Sequence, residues 1–150
     1  MPVIPRRAGM TGMAVVDASV AMKWLINEED ADKAELLLRS RELIAPAIIL
    51  GEVGNGLWSK RSTSNIDRDL GQDLIAELPQ LLKEIVPIEG LMRNAMQFAF
   101  DLDHPIYDCV YLALAVQRRL PLVTADRRFI GKLEGRDLAI PVIALPRYEP

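Results

Sequence analysis

Four carboxylates stand where a folded chain has difficulty keeping charge. Asp17 closes the apolar run AVVD and Asp126 closes LVTAD. Glu52 lies inside AIILGEVGNGLW, and Asp108 opens YDCVYLALAV. Burying an isolated carboxylate costs several kcal/mol unless a partner or a metal compensates it. No Lys or Arg lies within one helical turn of Asp108, although Arg118 or a more distant cation could fold back. Four acids without a local cation point to a bound ion as the missing positive charge. Carboxylate oxygen is the hard ligand that Mg²⁺ and Mn²⁺ prefer. Such a site can orient a water, lower its pKa and neutralise a phosphodiester during in-line displacement. Polar neighbours recur beside the acids: Ser19 two residues after Asp17, Thr124 two before Asp126, and Asn55 three after Glu52 on the same helical face. Each acid alone also has an ordinary explanation. Asp17 suits an N-cap, Asp126 a turn before Arg127 and Arg128, and Glu52 a solvated helix position. Asp108 suits a first helical turn, where the macrodipole favours negative charge. Their joint placement is what carries the metal reading.

The elements that must position these acids follow from periodicity. MAVVDA reads as a buried strand, with Ser19 as N-cap of a helix over VAMKWLINEE. EEDADKAELLLRSREL forms a second helix and LIAP a short strand stopped by Pro46. AIILGEVGNGLWSKR has helical apolar spacing but contains Gly51, Gly54 and Gly56, each costing about 1 kcal/mol relative to Ala. It is therefore either an irregular loop or a helix whose glycines permit a close contact. IDRDLGQDLIAELPQLLKEI is one or two helices interrupted near Pro79, and IVPIE a strand. LMRNAMQFAFDL and YDCVYLALAVQRR are helices, PLVTAD a strand, FIGKLEG a helical turn and PVIAL a last strand. Short apolar strands alternating with helices imply an α/β fold with a parallel sheet covered on both faces. In such sheets ligands bind beyond the carboxyl ends of the strands, where Asp17 and Asp126 fall.

Composition removes competing chemistries. At 150 residues, half hydrophobic and 26% charged, the chain fits one globular domain. The first residues, MPVIPRRAGMTG, lack a signal-peptide core, so residues 1–12 read as a disordered extension and 13–150 as the domain. No apolar run reaches the length of a membrane span. The net charge of −3 excludes a generally basic nucleic-acid binder, so any such role needs a local patch or metal ions. The single Cys109 forbids an intrachain disulfide and suits a reducing cytoplasm. The single His104 excludes a two-histidine nuclease, and with Cys109 cannot supply a structural zinc site.

The set VVDASVAMKW, APAIILGEVGNGLW, YDCVYLALA and LVTADRRF closely resembles the PIN-domain family, in particular the VapC-type ribonuclease toxins of toxin–antitoxin pairs. The likeness runs in order through almost all of residues 13–145. It implies a three-layer α/β/α sandwich and Mg²⁺- or Mn²⁺-dependent endonuclease activity on RNA, with Asp17, Glu52, Asp108 and Asp126 as the acids. Ser19, Asn55 and Thr124 match supporting positions. The glycines around Glu52 depart from the pattern and bear on the regularity of that helix. The resemblance also implies a cognate antitoxin; a homodimer is expected. Trp24, Leu25, Leu57 and Trp58 are read as core, or as an apolar groove for an antitoxin peptide. Lys23, Lys60, Arg61, Arg127 and Arg128 are candidate phosphate contacts, while Cys109 and Tyr111 read as core. Two other classes remain open: an aspartyl phosphatase, which the absence of a DxD pair disfavours, and a non-catalytic interaction module.

Overall fold

A computed structural model describes residues 12–150; the expected extension lies almost wholly outside the described residues. The chain alternates strands and helices: β1 (Met13–Val16), α1 (Ala18–Leu25), α2 (Ala31–Ser40), β2 (Glu42–Pro46), α3 (Ile48–Ser59), α4 (Arg68–Leu81) and β3 (Glu84–Val86). It continues with α5 (Met92–Leu102), α6 (Ile106–Arg118), β4 (Leu122–Thr124), α7 (Arg127–Leu133) and β5 (Val142–Ala144). The five strands form one sheet in the order β3-β2-β1-β4-β5, and every pairing is parallel. Successive strands step outward from β1 to β3. The chain then returns past β1 to lay β4 on its other side. That reversal makes the carboxyl ends of β1 and β4 the switch point, where α/β sheets form ligand crevices.

Helices cover the sheet in two groups. α1 packs on α2, α3 and α4, whereas α6 packs on α5 and against β1, β2 and β4. Right-handed crossovers put the two groups on opposite faces. The three-layer α/β/α arrangement expected from the alternating pattern is thus observed. Its core explains the apolar runs: Ala14, Val15 and Val16 of β1 and the whole stretch Cys109–Ala115 of α6 are buried. A central helix enclosed all round needs no polar face, which is why YLALA carries none. Among the described residues no helix is long and apolar enough to cross a membrane.

Several local expectations need correction. Asp17, not Ser19, caps α1: its carboxylate accepts the Val20 N–H, and Ser19 lies within the first turn. The second helix is shorter than its pattern, because Glu42 already pairs in the sheet. Pro79 does not divide α4, since it sits in the last turn, two residues from the helix end. The glycine-rich segment is a regular helix. A Cβ on Gly56 would stand 2.8 Å from Met22 Sδ, so glycine there lets α3 press against α1. At Gly51 nothing lies within 4 Å, and at Gly54 only Ile75 Cδ1 at 3.9 Å, so neither site demands glycine.

Candidate active site

Asp17 ends β1 and is 2% exposed. Its Oδ1 accepts Ser19 Oγ–H at 2.5 Å and the Val20 N–H at 3.2 Å, and its Oδ2 accepts the Thr124 hydroxyl. The same two hydroxyls tie β4 to this point: Ala125 N–H donates to Ser19 Oγ at 2.9 Å, and Asp126 N–H to Thr124 Oγ1 at 3.1 Å. Ser19 and Thr124 thus bridge the switch point. Asp126, half-buried, caps α7 by accepting the Phe129 N–H on Oδ1 at 3.0 Å. Both strand-end acids are therefore N-caps, as their local sequence allows, at the carboxyl ends of neighbouring strands.

The helical acids approach from either side. Glu52, half-buried on α3, accepts Tyr111 Oη–H at 2.6 Å. Asp108, in the first turn of α6, accepts His104 Nε2–H on Oδ2 at 2.6 Å. His104 Nδ1 is buried without a partner, and the ring stacks on Phe129 with centroids 5.0 Å apart. His104 and Tyr111 are the residues that sequence reasoning missed. They lie one turn before and one turn after Asp108 in sequence, and that spacing was the available signal. Arg118, the cation considered for Asp108, instead makes a bidentate pair with Glu84. Asn55 is exposed, and among the described residues it bonds to none of the acids.

The four acids are electrostatically coupled: Asp108 acts on Asp17 and Glu52, and Asp126 acts on Glu52 and Asp108. Burial raises the Asp17 pKa from 3.8 to about 7, against the lowering by its three hydrogen bonds, and repulsion from Asp108 adds to the rise. Glu52 is raised first by burial and then by Asp108 and Asp126, against the Tyr111 bond. Asp108 is raised by burial and by Asp126, opposed by His104 and Arg128. Tyr111 is pushed above its ordinary value by burial and by Glu52. Among the described residues no Lys or Arg forms a salt bridge with any of the four. Equally, no group of three or more His, Cys, Asp or Glu side chains is arranged to hold a metal as it stands. Acid oxygens that repel one another, without a Lys or Arg partner, fit a divalent cation chemically.

Residues 14–132 match the PIN-domain family. The chain belongs to that family. It is 27% identical over 135 residues to "VapC ribonuclease Mb0985" of Mycobacterium bovis, covering 90% of this chain and all of that protein. "Ribonuclease VapC3" of Pyrobaculum aerophilum is 27% identical over 121 residues, covering 79% of this chain and 92% of its own. A toxin–antitoxin complex from Klebsiella pneumoniae has a chain of the same fold, with a TM-score of 0.64 at 18% identity, covering 91% of this chain and 99% of that one.

The remaining sequence-predicted residues divide. Lys23 and Lys60 both pair with Glu28, and Arg127 lies 3.9 Å from Glu29. Arg61 stacks over Trp58 at 4.3 Å. Arg128 acts electrostatically on one of the acids, Asp108. Leu25 and Leu57 are core, and Trp24 is half-buried with its Nε1–H on the Ala34 carbonyl at 2.9 Å. Trp58 is 61% exposed and, with Leu57, Ile66 and Ile75, lines a groove of about 580 Å³ between α3 and α4.

Proposed function

We propose that this PIN domain is an endoribonuclease, the toxin of a toxin–antitoxin pair, acting through Mg²⁺ or Mn²⁺ at Asp17, Glu52, Asp108 and Asp126. The single observation that supports the reading is the electrostatic coupling of carboxylates from the β1 end, α3, α6 and the β4–α7 turn, none of which forms a salt bridge with a Lys or Arg among the described residues. The ribonuclease names of relatives spanning most of the chain support the reaction class. An ion held there would neutralise the phosphodiester and activate a water. The chain's own part is to aim the acids. Ser19 and Thr124 fix the Asp17 carboxylate, Tyr111 fixes Glu52, and His104 fixes Asp108. These hydrogen bonds orient the carboxylates, and for Asp17 and Glu52 the donors are uncharged hydroxyls and a backbone amide.

The antitoxin would seat apolar residues in the groove beside Trp58, and the toxin would act as a homodimer in the cytoplasm. Cleavage of total RNA by the purified protein tests the central reading. Activity should vanish in EDTA and return with Mg²⁺ or Mn²⁺, and Asp126→Asn should abolish it while retaining the fold. Release of phosphate from small esters would instead favour an aspartyl phosphatase, and indifference to metal a non-catalytic module.

A further inference from the structure

A cleft of about 530 Å³ opens beside the acids, within the roughly 300–1,000 Å³ typical of ligand sites. Its lining includes Phe100 from α5, Asp103, His104 and Pro105 from the following turn, and Arg128 and Lys132 from α7. Two of its lining residues act on one of the acids. His104 bonds Asp108 at 2.6 Å, and the Arg128 charge acts on the same carboxylate. Phe100 is 81% exposed, the most exposed large apolar side chain described. Among the described residues neither Arg128 nor Lys132 forms a salt bridge, so two cations face the single acid Asp103.

An unpaired cationic pair, an exposed ring and an adjoining phosphodiester-cleaving centre have one occupant in common. We propose that this cleft is a nucleotide subsite: one base of single-stranded RNA, flanking the scissile phosphate, stacks on Phe100 while Arg128 and Lys132 hold neighbouring phosphates. The proposal rests on the ribonuclease reading. Every base has a π-face, so a lone aromatic platform accepts unpaired RNA with little regard to sequence. A duplex keeps its bases stacked on one another and offers the ring none of these faces. Lys132 was not among the expected phosphate contacts. It joins Arg128 because the two lie on one face of α7, four residues apart.

Full-length protein carrying Asp126→Asn, in Mg²⁺, gives a background in which the ribonuclease reading leaves the RNA intact. Anisotropy of a short fluorescent single-stranded RNA, and of the same strand annealed to its complement, measures affinity; sedimentation velocity follows the oligomeric state. Phe100→Ala should weaken single-strand binding on the order of tenfold. Phe100→Trp should restore it, and duplex binding should be weaker and insensitive to both changes. Arg128→Ala and Lys132→Ala should each lower the salt slope by about one. Binding unchanged by Phe100→Ala, or absent from the background, overturns the subsite. A Phe100→Ala protein whose oligomeric state changes in step with its affinity overturns it too, assigning the ring to contact between copies. RNA cleaved by the Asp126→Asn background, or left intact by the wild type with metal, overturns the ribonuclease reading itself.

Discussion

Asp17 should give the metal-free protein a pH-dependent stability of definite sign. Its carboxyl is buried, and its folded pKa stands near 7 against an ordinary 3.8. Between those values the folded chain holds a proton that the unfolded chain has released. Stability is therefore fully present below about pH 4 and is lost as pH rises through about 7. A difference of about 3 pKa units, at about 1.4 kcal/mol each, corresponds to on the order of 4 kcal/mol. Other acids titrate over part of the same range, so the wild-type curve alone does not isolate Asp17. The comparison with Asp17→Asn does, because the variant lacks only this titration and keeps an oxygen for Ser19 and Val20. Urea unfolding in EDTA at a series of pH values should show the variant gaining about 4 kcal/mol on wild type between pH 4 and pH 8. Any constant offset from the new amide leaves that swing intact. Saturating Mn²⁺ at pH 8 should shift the comparison back toward wild type. A difference that stays flat from pH 4 to pH 8 would refute the burial reasoning.

Gly51→Ala should raise stability by about 1 kcal/mol, since it adds helix propensity in open space. Gly56→Ala should fail to deliver that gain because Met22 must move aside; equal gains in urea unfolding would contradict the α1–α3 contact. Tyr111→Phe should cost about 1.5–3 kcal/mol at pH 8, where Glu52 loses its hydrogen bond while charged, and less at pH 4. Denaturation at the two pH values checks this, and a loss independent of pH would assign Tyr111 to packing alone. RNA products should carry 5′-phosphate and 3′-hydroxyl ends, because water rather than the 2′-hydroxyl is the proposed nucleophile. A cyclic 2′,3′-phosphate found by mass spectrometry would exclude that route.

The strand-end acids were legible because period and position speak locally: a β-branched run that stops at Asp17 or Asp126 places the acid at a sheet edge. That β1 and β4 are neighbours was not legible, since strand order follows from the return of the chain past β1. The capping of α1 shows the same limit. Ser19 and Asp17 both suit an N-cap; in the fold Asp17 takes that place, and the Ser19 hydroxyl is engaged by the Ala125 N–H from 106 residues away. Propensity misleads in α3, where the glycines read as helix breakers until the packing of Gly56 on Met22 is seen. Charge misleads in the same way. Lys23 and Lys60 look free in sequence, yet both fold onto Glu28. His104 enters the sequence reading only for what a single histidine excludes; its bond to Asp108, one turn away in sequence, is visible only in the fold.

The central claim is that these four acids make one metal-dependent ribonuclease centre. It is tested most directly by titrating Mn²⁺ into chelated protein with single-stranded RNA, following bound Mn²⁺ by electron paramagnetic resonance and cleavage by gel in the same samples. Bound ion and cleavage should rise together in wild type, and Asp126→Asn should lose both while keeping its circular dichroism spectrum. RNA cut at full rate in EDTA, or by an Asp126→Asn protein that binds no Mn²⁺, would contradict the claim.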